Sequence, residues 1–333
     1  MTSTSASIPG PVSCSYLASL LGDQMIATAT EATAWILLEH AGPWGVEPLP
    51  DAGFRPEVTA EIARRMAGTG VRVQLIAPPP GAEPGAAYVA GDAHDGRGAW
   101  LRRIPLGSPE DVLDLDFESI SAGQRPAGTV VDEPFYIVCA NDRNDPCCGR
   151  SGPPILDALA PMVGSRVRRT PHVGGHKYAG IVVAFPHGTF YGRLEPGSAR
   201  ETVAAHDQGH ILLDKYRGRS AFGHAEQAAE YFLRREKGFT GVGDVHRAGL
   251  ERPLPGGGGY EATFLAAGAR WVVTVAGDQQ RPPRRQSCAD EEDTIPPAWR
   301  LVGITRADER EPVSGQADSV VAQRPAGLSP VAP

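Results

Sequence analysis

Apolar positions along this chain recur in short runs broken by Gly and Pro, and the runs alternate with stretches of helical spacing. An apolar run, AWILLE (34–39), precedes the turn-rich AGPWG. Residues 55–67 carry Val58, Ile62 and Met66 at helical spacing, and VRVQLIA (71–77) reads as a strand. Two further strand-like runs, AAYVAG and AWLRRI, complete a small α/β unit. After the polar stretch 119–128, FYIVCA (135–140) reads as a strand that delivers Cys139 to a polar loop. A helix is expected from Ser151, where Pro in the first turn is tolerated, with Ile155, Leu156, Leu159, Met162 and Val163 on one face. A strand over 166–170 then feeds an HVGGH turn, and IVVAF and TFYGRL flank Pro-His-Gly as a hairpin. Helices are expected over 198–210 and over 225–237, the second stopped by Gly238. Beyond a GGGG segment lie the strand-like ATFLAAGA and WVVTVAG, a charged loop around Cys288, and WRLVGIT.

This order predicts an α/β protein: a small N-terminal α/β domain over 14–118, a thioredoxin-like layer over 130–240 and a β-rich extension over 241–311. Residues 1–13 and 312–333 read as disordered from their small, polar, low-complexity composition.

Composition narrows the class. With 333 residues, 41% hydrophobic and 21% charged, the chain is that of an ordinary globular protein. Its net charge of −7 gives no general attraction to nucleic acid or to anionic membranes. No run reaches the roughly 18 apolar residues of a membrane span, and the N-terminus lacks a signal-peptide pattern, so a cytoplasmic protein is expected. Five cysteines, an odd number with Cys147 and Cys148 adjacent, do not suggest a disulfide framework; thiols in a reducing compartment are rather ligands or nucleophiles.

Cys139 and Cys148 are separated by eight intervening residues, and His172 and His176 by three, each pair just beyond a predicted strand. Two thiolates and two imidazoles are a full ligand set for zinc or for a [2Fe–2S] cluster, and spacing alone does not choose. Gly174 and Gly175 let the backbone pass close to such a centre. Lys177 and His187 lie near it in sequence and are candidates to tune it, as are Arg143 and Arg150. Cys147 is an alternate to Cys148 by a one-residue slip. Cys14 and Cys288 read as buried thiols, and Trp35 and Trp44 as packing residues. His206 and His210 read as surface residues, and the arginines at 166, 168, 169, 217 and 219 as a basic docking face.

The segments CANDRNDPCC (139–148), HVGGHKYAG (172–180), FPHGTFYG (185–192) and YRGRS (216–220), with WILLEHAGPWG (35–45), resemble the sucrase/ferredoxin-like family. The resemblance implies a thioredoxin-like ferredoxin. A branch of that family holds a [2Fe–2S] cluster by Cys-x8-Cys and His-x3-His, which would fall here on Cys139, Cys148, His172 and His176. It further implies one-electron transfer or redox sensing with a reductase or acceptor protein as partner. Sugar hydrolysis is not expected, because it needs two placed carboxylates. Asp142, Asp145 and Asp157 read as loop and helix-surface residues. The alternatives are a structural zinc site in a partner-binding protein and a cluster-free thiol oxidoreductase.

Overall fold

The computed structural model describes residues 13–93, 98–141, 143, 146–278, 282–288 and 290–307. The disorder expected over 1–12 and 312–333, and the roles expected for Asp142 and Asp145, fall outside these residues. Helix α1 (Cys14–Leu20) opens the described chain, its first turn capped by the Ser13 hydroxyl, which accepts from the Tyr16 N–H. A first sheet follows from β1 (Ala34–Glu39), α2 (Pro56–Thr69), β2 (Val71–Ile76), β3 (Ala86–Ala93), β4 (Gly98–Pro105), α3 (Phe117–Ser121) and β5 (Thr129–Val130). Its strand order is β2-β1-β3-β4-β5, with β1 and β2 parallel. Pro56 begins α2, and Gly70 ends it at φ +69°, a conformation that costs glycine little.

The second sheet holds β6 (Phe135–Cys139), α4 (Pro146–Val163), β7 (Val167–Thr170), β8 (Val182–Phe185), β9 (Thr189–Tyr191), α5 (Pro196–Asp207) and β10 (Tyr216–Arg219). The order is β10-β9-β8-β6-β7, where β6 and β7 run parallel and the other pairs antiparallel. The expected hairpin is β8–β9, turning through Pro186–Gly188.

Every residue of β1 and of β6 is buried, which explains their unbroken apolar character: both strands are covered on two faces. The two sheets share one core, in which Trp35, Leu37 and Tyr88 of the first meet Phe135, Ile137, Val183 and Phe185 of the second. On the outer faces α2 and α3 cover Ile36, Leu38 and Val73, while α4 and α5 cover Tyr136 and Val138. Side chains alternate along a strand, so Cys139 follows Phe135 and Ile137 into the space between the sheets. The Ala77 N–H just after β2 donates to the Arg169 carbonyl of β7 at 2.8 Å, stitching the two sheets together at one edge.

The last unit is α6 (His224–Lys237) with β11 (Val245–Arg247), β12 (Arg252–Pro253), β13 (Gly259–Ala266), β14 (Ala269–Gly277) and β15 (Trp299–Arg306). Its sheet runs β11-β13-β14-β15, with β12 paired to β13, so the chain is a mixed α/β protein whose C-terminal part is β-rich. Helix α6 lays Ala225, Ala228, Ala229, Phe232 and Leu233 against Phe264, Val273 and Val275. Its other side carries a buried charge network: Glu230 pairs with Arg219 and with Arg234 at 3.0 Å each, and accepts from the Tyr216 hydroxyl at 2.5 Å.

Two expectations need correcting at this level. The basic face does not form, because Arg168, Arg217 and Arg219 are at most 4% exposed. Arg166 is held by Asp207 at 2.9 Å, and the Arg169 guanidinium stacks over Trp44 at 4.8 Å. Nor is His206 a surface residue: it lies at 3% exposure, its Nδ1 2.8 Å from the Tyr191 hydroxyl.

Burial pushes the His206 pKa down to about 3, with His187 adding to the effect, so the ring is neutral in the folded protein. The unfolded imidazole takes a proton near pH 6.5, and the folded one does not until far lower. Stability tied to this group is therefore complete above pH 6.5 and is lost as pH falls from there toward 3. At pH 5 the expected loss is about 2 kcal/mol relative to pH 7.5. Chemical denaturation at both pH values should show that difference shrinking in His206→Gln; an unchanged difference would remove His206 as its source.

Candidate metal centre

Three parts of the second sheet bring the sulfur and nitrogen donors together. Strand β6 ends on Cys139, whose N–H donates to Ile181 on the neighbouring strand's approach at 3.2 Å. Helix α4 begins at Pro146, earlier than the expected start at Ser151, so Cys147 and Cys148 lie in its first turn rather than in a loop. Proline suits that first position, having no N–H to leave unbonded. Adjacent residues on a helix project about 100° apart, and the cysteine pair divides accordingly: Cys148 turns toward Cys139 and Cys147 away from it. Helix α4 approaches β6 closely at Gly152, where a Cβ would stand 2.3 Å from the Cys139 carbonyl oxygen.

The third part is the loop after β7. Gly174 and Gly175 hold φ of +97° and +74°, a left-handed pair that only glycine adopts easily. The first lies so close to Thr30 that a Cβ would meet its Oγ1 at 2.4 Å, and a Cβ on the second would overlap the Arg217 guanidinium. This tight turn aims His172 at the cysteines. One donor atom from each of Cys139, Cys148 and His172 lies within 4.8 Å of the other two. His176 stands beside the group, its ring centroid 5.1 Å from that of His172.

The electrostatics favour thiolate. A hydrogen bond from Cys148, with help from His172 and the Val173 N–H, lowers the Cys139 thiol to about 5 despite its burial. Arg217 lies fully buried beneath the loop, donating to Thr28 Oγ1 at 3.0 Å and to the Gly174 carbonyl at 3.2 Å. Burial pulls its pKa down to about 10, opposed by the charges of Tyr178, Cys148 and Cys139. The guanidinium is thus a fixed positive charge facing the two thiols, a role that sequence reading, which sent this arginine to the surface, missed. The one signal for it was Arg217 sitting in the strand YRGR next to Gly218.

The remaining expected residues are placed elsewhere. Lys177 is not on a solvated rim; it is buried against Asp23 at 3.4 Å and also reaches Gln286. Burial lowers its pKa, with Asp23 opposing. His187 faces Asp92 at 3.6 Å, and burial lowers its pKa as well. Arg143 is exposed, and its N–H donates to Asn141 Oδ1 at 3.1 Å. A cleft of about 310 Å³, lined by Glu47, Met66, Arg72 and Gln74 among others, opens onto His172 from the first sheet. His172 is half-buried beside this cleft, and its Nδ1 has no hydrogen-bond partner among the described residues.

A family model described as sucrase/ferredoxin-like matches residues 25–218, more than half of the chain and all of the second sheet except its last residue, Arg219. The chain belongs to the sucrase/ferredoxin-like family. Curated relatives named altered inheritance of mitochondria protein 32 are similar over a limited stretch. The protein of Meyerozyma guilliermondii is 35% identical over 100 residues, covering 27% of this chain and 35% of the relative. Those of Debaryomyces hansenii and Clavispora lusitaniae are 31% and 30% identical over 102 and 104 residues, 26% and 28% of this chain and 36% and 37% of theirs. The chain thus spans little more than a third of the relatives it matches. No solved structure matches it.

These findings correct the expectation of an iron–sulfur electron carrier. The relatives' name refers to mitochondrial inheritance and not to electron transfer. No helix among the described residues is long and apolar enough to cross a membrane.

Proposed function

We propose that this member of the sucrase/ferredoxin-like family is a metal-binding protein that holds one zinc ion through Cys139, Cys148 and His172, with His176 as the fourth donor. The observation that carries this reading is the convergence of three buried or half-buried donors of soft and borderline character within 4.8 Å. Three further features support it. One donor is already lowered toward thiolate. A buried guanidinium offsets the negative charge of two thiolates. Nδ1 of His172 has no hydrogen-bond partner among the described residues. A closed Cys2His2 shell has no open position for substrate, so the role is structural: it ties the end of β6, the start of α4 and the loop after β7 into one unit. The cleft beside His172 is the side at which a partner protein would sense the centre, and thiolate ligation fits a reducing compartment.

Elemental analysis of the protein purified without added metal should find one zinc per chain and no visible absorption. Cys148→Ser should lose that zinc and about 3 kcal/mol or more of stability. Iron with inorganic sulfide in the purified protein, or full zinc retention by Cys148→Ser, would overturn the reading.

A further inference from the structure

A second set of thiols meets around the same helical turn. Cys14 at the start of α1, Cys147 in α4 and Cys288 in the loop between β14 and β15 place their sulfurs within 4.8 Å of one another. Cys147 Sγ is 3.5 Å from that of Cys14 and 3.6 Å from that of Cys288. A disulfide would require about 2.05 Å, so these are thiols. The Cys14 N–H donates to Cys288 Sγ at 3.3 Å, the kind of bond that favours a sulfur carrying negative charge. Cys14 and Cys147 are buried, whereas Cys288 is partly exposed at the wall of a cavity of about 360 Å³. That cavity is bounded also by Ser13, Ser287, Arg150 and Arg285.

We propose that Cys14, Cys147 and Cys288 form a second metal site, selective for a soft monovalent ion of the copper(I) class. Thiolates select soft ions, and among the described residues the cavity wall is lined by serine, arginine, leucine and proline beside the sulfurs, with no carboxylate or imidazole. A structural zinc site takes four protein donors; here the fourth side is given to the cavity, which leaves a three-coordinate arrangement. Bonds of about 2.3 Å to sulfur put the sulfurs of a trigonal site about 4 Å apart, so these thiols need to open by under about half an ångström. Three thiolates around a monovalent ion carry net negative charge. Arg150, Arg285 and the positive end of α4 face that charge. The cavity supplies the route for the ion to enter and for the three thiol protons to leave.

The site is distinct from the zinc centre and is tested separately on the full chain. Anaerobic protein is titrated with copper(I) against a copper(I) chelator. Thiolate-to-copper absorption in the ultraviolet is followed, and copper and zinc per chain are measured after desalting. One copper per chain is expected, with zinc unchanged. Cys288→Ser and Cys14→Ser should each weaken copper binding by more than the roughly 10–100-fold typical of losing a supporting partner, whereas Cys148→Ser should keep the copper while losing the zinc. Copper should also slow alkylation of Cys288 in the unmutated protein at least tenfold, a readout that survives if Cys14→Ser fails to fold. Copper binding unaffected by Cys288→Ser, or zinc taken up at the triad in preference to copper, would overturn the proposal. A protein that takes copper at the triad yet contains no zinc would refute the first centre and leave this one standing.

Discussion

Glu230→Gln is expected to lower the unfolding free energy by about 3–5 kcal/mol, the range for removing one partner of a buried ion pair. Glu230 and Arg234 are fully buried and Arg219 nearly so, so water cannot take over the solvation of either guanidinium. Both arginines would keep their backbone acceptors. Arg234 donates to the Phe239 and Gly241 carbonyls at 3.1 and 2.8 Å, and Arg219 to the Val242 carbonyl. What they would lose is the anion between them, leaving two like charges facing each other in low dielectric. The network also joins β10 of the second sheet to the segment entering β11, so its loss should loosen the C-terminal sheet first. Denaturant midpoints should fall accordingly, and Glu230→Gln/Arg234→Met should recover part of the loss. The exposed Arg55–Glu110 pair, at 2.7 Å and a similar ion pair on paper, should leave the midpoint unmoved in Glu110→Gln. Equal effects from the two pairs would show that burial is not what makes Glu230 matter.

The second large effect is expected at a residue that binds nothing. In Gly152→Val, the new Cβ would meet the Cys139 carbonyl oxygen at 2.3 Å and Ala140 Cβ and Cα at 2.6 and 2.7 Å. These are strand atoms and the first residue after the strand, with no flexible side chain to swing aside. Helix α4 has to withdraw from the end of β6. Cys148 lies four residues earlier, on the same helix face as residue 152, and withdraws with it. Overpacking costs typically 1–3 kcal/mol, and separation of Cys148 from Cys139 should add the loss of bound metal. Zinc per chain and the denaturation midpoint should therefore fall together, although all four proposed ligands remain. Gly197→Ala, on α5 with nothing within 4 Å of its Cβ position, is the control and should change neither. Full zinc in Gly152→Val would mean that the closeness of α4 to β6 does not position the thiols.

Much of the secondary structure was legible because local signals agree with the final fold. The run FYIVC is buried on both faces, Pro-His-Gly turns a hairpin, and Gly238 stops α6 in a left-handed conformation at φ +74°. The candidate donors were legible for the same reason: Cys139, Cys148 and His172 each follow a strand or open a helix where a sheet edge gathers them. What stayed hidden depends on packing. An unbroken apolar strand fits any arrangement that covers two faces, so the stacking of β1 on β6 left no separate mark. Arginine is seldom fully buried, and Arg217, Arg219 and Arg234 are buried because Glu230, backbone carbonyls and two thiols surround them. The start of α4 was misplaced because Pro146 and two cysteines carry no helical period of their own. The Cys14–Cys147–Cys288 contact spans separations of 133 and 141 residues and has no spacing to read.

That last contact has a consequence in time. Synthesis at about 5–20 residues per second separates the appearance of Cys147 from that of Cys288 by roughly 7–28 seconds, since Cys288 comes 141 positions after Cys147. A nascent chain that folded its first two sheets in that interval would hold Cys14 and Cys147 with their sulfurs adjacent before the wall carrying Arg285, Ser287 and Cys288 is made. These two thiols would then be more open to oxidation than in the finished protein, where both are buried.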